Sequence, residues 1–252
     1  MKELHHGDGL EYMRGIKSNS IDLILTDPPY EIGYKDNWAA NPLPELQNDK
    51  ANSIDWNLFF KESHRVLKSN KTLFLHCRTD MVIRLAKSIQ DSEFKYSYDM
   101  VWLKGDMGYG NLGVMGTTHE LILVLSKGTP EKAREMTIAG EVKKRVQASY
   151  FGKLKRREYY GHPTQKPVGL CMYIILNRTD VDDIVLDPFM GVGSTLVAAK
   201  LLNRGYIGCE IDKDIYDKAA LRLEDNEHLS MYKNMLYKGL IRYNGSVCYE
   251  LN

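Results

Sequence analysis

Short apolar runs rich in β-branched residues alternate along this chain with longer segments of helical period. That pattern restricts it to an α/β fold: a mostly parallel sheet with helices on both faces. The runs lie near residues 3–7, 21–26, 72–77, 98–104, 119–125, 184–187 and 206–210, which predicts seven strands. Between them, 54–68 and 79–90 carry apolar residues at helical spacing, the second opening on Thr79 as a cap, and 166–178, 194–204 and 214–226 read as further helices. The runs 98–104 and 119–125 break the alternation. The loop joining them, GDMGYGNLGVMG, is too short and Gly-rich for a helix, so an antiparallel pair at a sheet edge is expected there.

At 252 residues the chain is sized for one α/β domain, 1–252, with at most a small insert. With 43% apolar and 27% charged residues and a formal net charge of +1, it falls in the ordinary globular class rather than the disordered one. Four scattered cysteines, Cys77, Cys171, Cys209 and Cys248, form no CxxC pair, so neither a zinc site nor a disulfide framework is expected, and no metal is assigned. MKELHHGDGLEYM has no apolar core of a signal peptide, and no window approaches ~20 uninterrupted apolar residues. A cytoplasmic protein that does not cross a membrane is the expectation.

Two segments carry chemistry. In VLDPFMGVGSTLVAAK, residues 185–200, a strand ends in Asp187, turns through Gly191 and Gly193, and enters a helix at Ser194 and Thr195. Glycines let backbone amides approach a ligand, and the new helix offers its N-terminal donors. A Walker loop would need Gly-Lys-Ser/Thr, which is absent, so a nucleoside triphosphate is disfavoured. One strand later GYIGCEID places Glu210 at a strand end, where an acid can accept both hydroxyls of a ribose. A dinucleotide oxidoreductase would account for 185–212, but it leaves the other segment idle.

That segment is IDLILTDPPY, residues 21–30. The residue before a proline is pushed out of the helical region, so Asp27 stays extended at the strand end. Pro28 and Pro29 lack amide donors and have fixed φ, which leaves rigid carbonyl acceptors. Tyr30 adds a flat ring suited to stacking on a planar heterocycle. The exocyclic amine of a nucleobase is a poor nucleophile because its lone pair is delocalised into the ring. Acceptors pulling on its hydrogens would pyramidalise it and free that lone pair.

Taken together, these segments resemble the S-adenosylmethionine-dependent DNA amino-methyltransferases of the β class, in which the DPPY half precedes the cofactor half. The resemblance runs through HHGDGLEYM, DLILTDPPY, VWLKGDMGYGN, THELILVLSKG, GHPTQKPVGL, VLDPFMGVGST and YIGCEIDKDIY. It implies a permuted, Rossmann-like methyltransferase fold and a site-specific enzyme of the kind found in restriction-modification, acting on a base flipped from duplex DNA. Asp27, Pro28, Pro29 and Tyr30 would be catalytic. The cofactor, S-adenosyl-L-methionine, would be held by Asp8, Asp27, Thr164, Lys166, Asp187, Phe189, Gly191, Gly193, Ser194, Thr195 and Glu210, with Lys166 charged suitably for its carboxylate. Adenine N6 is favoured over cytosine N4 because Ser-Pro-Pro-Tyr is more typical of the N4 group. A catalytically inactive DNA-binding relative is the remaining alternative, and the intact Asp27, Tyr30 and glycine loop argue against it.

Between residues 127 and 160, Lys127, Lys132, Arg134, Lys143, Lys144, Arg145, Lys153, Lys155, Arg156 and Arg157 face only Glu131, Glu135, Glu141 and Glu158. This is where the class carries its target-recognition region, so 127–160 reads as a small insert. Lys143, Lys144, Arg145, Lys153, Lys155, Arg156 and Arg157 would meet phosphates. Segments 31–52 and 105–116 read as loops that close over substrate. The tail, 225–252, lies beyond the resemblance; its Tyr, Met and Leu content fits a packing or homodimer surface.

Overall fold

The computed structural model describes residues 1–30, 53–104, 118–130, 132, 136–138, 141–143, 148–152, 154, 156–162, 164–237 and 242–243. Strands β1 (Lys2–His6), β2 (Ile21–Thr26), β3 (Leu67–Cys77), β4 (Lys95–Leu103) and β5 (His119–Ser126) come from the first half of the chain. Three short strands follow, β6 (Met136–Ile138), β7 (Glu141–Lys143) and β8 (Ser149–Phe151), and then β9 (Ile184–Asp187), β10 (Gly205–Glu210) and β11 (Arg242–Tyr243). The helices are α1 (Gly9–Gly15), α2 (Trp56–Val66), α3 (Thr79–Asp91), α4 (Val168–Arg178), α5 (Ser194–Leu201), α6 (Lys213–Glu224) and α7 (Asn226–Tyr237). The supposed loops 31–52 and 105–116 lie outside the described residues.

The main sheet has eight strands in the order β1-β10-β9-β2-β3-β5-β4-β8. It is parallel except where β5 lies antiparallel to both β3 and β4. The expected antiparallel pair is therefore present but is not the edge of the sheet. The short β8 runs parallel to β4 outside it, from within the 127–160 segment read as an insert, which adds the eighth strand. A second sheet joins β6 antiparallel to both β7 and β11.

Every residue of β2 is buried, as a central parallel strand covered on both faces must be. Its alternation still sorts the two layers. Leu23 and Leu25 join the core formed with α4, α5, α6 and α7, whereas Ile21 and Ile24 join the core formed with α1, α2 and α3. The start of the tail belongs to the first of these cores, because Leu229 and Tyr232 of α7 are buried in it. Buried Asp22 ties the far end of the strand, pairing with Lys68 Nζ at 2.8 Å and accepting from Ile184 N at 3.0 Å.

Polar side chains then fix where helices stop. Arg65 on α2 donates to the carbonyls of Met13 and Ile16, each at 2.7 Å, satisfying the end of α1. At the other end of α1, a Cβ on Gly9 would stand 2.2 Å from the Pro188 carbonyl oxygen, so this residue must be glycine for α1 to abut the loop after β9. Gly9→Ala should therefore separate two backbones that cannot move independently. The expected loss is about 1–3 kcal/mol of folding stability, read from the urea midpoint.

Candidate active site

The parallel strands β2 and β9 are neighbours, and their chains leave in opposite directions along the sheet, to β3 on one side and β10 on the other. Such a switch point opens a crevice beyond the carboxyl ends of the strands. Asp187 closes β9 there, 3% exposed, and accepts from Thr26 Oγ1 at 2.7 Å and from Phe189 N at 3.2 Å. Burial pushes its carboxyl up to about 7, against the opposing pull of these hydrogen bonds.

After Asp187 the loop turns through Gly191 (φ 53°) and Gly193 (φ 74°), left-handed conformations that favour glycine. Gly193 caps α5 without a side chain, leaving the helix's first amides facing the crevice. Glu210, at the end of β10, accepts from Gly191 N at 3.0 Å through one oxygen and from Asp212 N at 2.9 Å through the other. Each carboxylate oxygen keeps a further lone pair for a ligand hydroxyl. Burial raises the Glu210 pKa, while these amide bonds oppose the rise.

Ser194 and Thr195 turn their hydroxyls inward. Ser194 Oγ donates to the Lys166 carbonyl at 2.8 Å and accepts from Arg222 Nη1 at 3.1 Å, and Thr195 Oγ1 reaches the Leu25 carbonyl at 3.5 Å. Arg222, fully buried, also bonds the Val192 carbonyl at 2.9 Å and the Tyr232 hydroxyl of α7 at 3.2 Å. The glycine loop is thus braced from the tail helix. Asp8, exposed, caps α1 by accepting from Leu10 N at 2.7 Å and Glu11 N at 3.0 Å.

On the β2 side, Asp27 Oδ1 accepts from the Tyr30 hydroxyl at 2.9 Å, and Asp27 Oδ2 lies 2.6 Å from Lys166 Nζ. The same ammonium is 3.3 Å from Glu120 Oε2, 3.4 Å from the Thr164 carbonyl and 5.5 Å from the centre of the Tyr30 ring. Burial alone would lower the Lys166 pKa, but the two carboxylates raise it above its ordinary value. Burial likewise would raise Glu120, yet Lys166 and Lys104 bring it down to about 2. Burial and then Asp27 lift the Tyr30 phenol well above 10, so it stays a hydrogen-bond donor. The main-chain carbonyl of Tyr30 is held by Arg84 Nη2 at 2.8 Å.

These two half-sites match a known pattern: the DNA methylase model for N6- and N4-methyltransferases aligns over residues 21–221. The chain belongs to the N6/N4 DNA methylase family. It is 30% identical over 249 residues to the type II methyltransferase M.HinfI of Haemophilus influenzae, covering 87% of this chain and 67% of that one. It is also 30% identical over 261 residues to the DNA adenine methyltransferase YhdJ of Escherichia coli, covering 91% and 85%. Among solved structures, the M1.HpyAVI–SAM complex superposes with a TM-score of 0.66 at 24% identity, covering 88% of this chain and 99% of that one. The cytosine-N4-specific PvuII DNA methyltransferase superposes at 0.71 and 19% identity, covering 94% and 92%. At those identities the superpositions establish the shared Rossmann-like fold.

The methyl donor of this DNA methylase family is S-adenosylmethionine, and the donor set suits it. Opposite charges on Asp27 and Lys166 match a methionine zwitterion, the left-handed glycines leave open backbone, and Glu210 keeps acceptors for ribose hydroxyls. Of the residues expected at the site, Asp27, Pro28, Pro29, Tyr30, Thr164, Lys166, Asp187, Phe189, Gly191, Gly193 and Glu210 gather along this one edge. Of the basic residues expected to meet phosphates, Lys144, Arg145, Lys153 and Lys155 lie outside the described residues; Lys143 falls on β7, and Arg157 with exposed Arg156 on a 3-10 turn.

Sequence reading missed Thr26, Lys104, Glu120 and His76. An acid opening the apolar run of 119–126 was the available signal for Glu120. His76 is 1% exposed beneath the same charges, its Nδ1 has no hydrogen-bond partner among the described residues, and burial lowers it to about 4. His162 lies close to Gly191, on the facing side of the glycine turn, and is also lowered to about 4 by burial.

The Asp187 shift carries a pH prediction. The folded carboxyl keeps its proton up to about 7, while the unfolded one releases it near 3.8, so its contribution to stability falls as pH rises through that window. Asp187→Asn, neutral throughout, lacks that term. Urea midpoints measured between pH 4 and pH 8 should show wild type losing ground to Asp187→Asn up to about pH 7 and then running parallel.

Proposed function

We propose that this DNA methylase transfers a methyl group to the N6 amine of an adenine flipped out of duplex DNA. The observation that carries the reading is the convergence, at one sheet edge, of the Asp27–Tyr30 acceptor turn with the Gly191–Glu210 loop. The Asp-Pro-Pro-Tyr opening and the likeness to a relative named as a DNA adenine methyltransferase support adenine over cytosine.

Bound there, S-adenosylmethionine supplies an electrophilic methyl carbon. Glu210 would accept ribose hydroxyls, the amides at the start of α5 and in the glycine loop would line the adjoining backbone, and Lys166 would meet the cofactor's carboxylate. Asp27 and the Pro28 carbonyl accept the hydrogens of the target amine and pyramidalise its nitrogen, while the Tyr30 ring supports the base. As the N–C bond forms, the carbon–sulfur bond of the sulfonium would break and S-adenosylhomocysteine would leave; the amine then becomes acidic and its proton passes late through Asp27 to solvent, so Asp27 acts as an acceptor and orienter more than as a strong base. Alignment supplies most of the acceleration, since well-oriented reactants gain effective molarities of roughly 10⁵–10⁸ M. Flipping costs a few kcal/mol, offset by stacking and hydrogen bonds in the pocket.

The segment 127–160 acts as the target-recognition insert. Its basic residues meet phosphates, which makes binding salt-sensitive, and other side chains there read base edges. Tyr232, near the start of the 225–252 extension, supports the cofactor loop through Arg222 of α6.

Incubation with methyl-labelled S-adenosylmethionine and duplex DNA, then digestion to nucleosides, should place label on N6-methyladenine. Label on N4-methylcytosine would overturn the choice of base. Asp27→Ala should lower the rate at least about 10²-fold, because the amine loses its orienting acceptor. Glu120 remains as counter-ion to Lys166 in that variant, so the fold should persist.

A further inference from the structure

Four charged side chains from four separate segments meet at the carboxyl edge of the sheet: Asp27 after β2, Lys104 after β4, Glu120 at the start of β5, and Lys166 before α4. They alternate in sign. Lys104 pairs with Glu120 Oε1, Glu120 Oε2 lies 3.3 Å from Lys166 Nζ, and Lys166 lies 2.6 Å from Asp27 Oδ2. The Tyr30 hydroxyl bridges the two acids, 2.9 Å from Asp27 Oδ1 and 3.5 Å from Glu120 Oε2. The Trp102 ring lies alongside, 5.1 Å from Lys104 Nζ and 5.9 Å from Lys166 Nζ. Burial keeps His76 and His162 neutral, and within this alternating chain of four side chains the charges sum to zero.

A buried ammonium facing a single carboxylate would pair with it completely. Here a second carboxylate shares Lys166, and its own second oxygen is tied to Lys104. We propose that Glu120 is a positioning residue for methyl transfer: it shares the Lys166 ammonium so that Asp27 keeps acceptor capacity, and it sets a crevice charge that receives a cationic sulfonium ligand. This rests on the reading above that the crevice binds S-adenosylmethionine. Without the Glu120 charge the sum becomes +1, and Lys166 is left to Asp27 alone.

S-adenosylmethionine and S-adenosylhomocysteine share one framework and differ by a methyl group and one positive charge. Their affinity ratio therefore reports the crevice's charge separately from its shape. At roughly 10 Å and an effective dielectric constant of about 20, one unit charge changes an equilibrium about tenfold.

The test is calorimetric titration of both ligands into the intact wild-type chain, Glu120→Gln, Lys104→Met and the double variant. Relative to wild type, Glu120→Gln should weaken S-adenosylmethionine about tenfold more than S-adenosylhomocysteine. Lys104→Met should move the ratio the opposite way, and the double variant, with its sum restored to zero, should return it. Equal weakening of both ligands in Glu120→Gln, or a ratio unchanged across the variants, overturns the role of Glu120 while leaving the cofactor reading intact. Wild-type protein that binds neither ligand overturns that reading, and the inference with it. If Glu120→Gln does not fold, Lys104→Met decides: an unchanged or reversed ratio overturns the proposal.

Discussion

The parallel pairing of β2 with β9 joins two strand ends that lie far apart in the chain, and the 2.7 Å hydrogen bond from Thr26 to Asp187 spans 161 residues of sequence. The candidate site is arranged around that contact. On one side the chain leaves β2 through Asp27 and two prolines; on the other it leaves β9 through the glycine turn into α5. Because the strands are parallel, both exits face the same way. Because the chain departs in opposite directions along the sheet, a crevice opens between them.

The antiparallel strand β5 adds to this edge what parallel strands cannot. Every parallel strand presents its last residue there, whereas β5 presents its first, so Glu120 arrives from the opposite chain direction to face Lys166. The four acids of the crevice then occupy different electrostatic environments. Asp187 is buried and is lifted to about 7, while Glu120, held between two lysines, falls to about 2. Glu210 spends both oxygens on backbone amides, and Asp27 meets a phenol and an ammonium. One low-dielectric crevice therefore lifts one acid, Asp187, and depresses another, Glu120, by the difference in their neighbours.

The support for this edge comes from well outside the two motifs. Gly9 lets α1 touch the Pro188 carbonyl, and Arg222 ties Val192 and Ser194 to the tail helix through Tyr232. A loop with two left-handed glycines has many unfolded conformations to lose, so such bracing is needed to hold it in one.

By itself the sequence determined the α/β class, most strand and helix positions, and the two motifs, because these depend on local properties: apolar period, proline and glycine geometry, and residue type. Asp27, Tyr30, Gly191 and Glu210 were legible for that reason. The eighth strand β8 was not, since three residues carry too little periodicity, and α7 was hidden by a polar stretch whose Leu229 and Tyr232 become core only once α5 lies against them. Glu120, Lys104 and Thr26 were not legible as site residues, although the acid opening the run 119–126 was in plain view. Nothing local separates an acid that begins a strand beside a buried lysine from one that begins a strand in solvent. Only the tertiary structure decided that, through the pairing of β5 between β3 and β4, which carries Glu120 to the same few ångströms as Lys166, and a charge acquires its meaning from the partners within that distance.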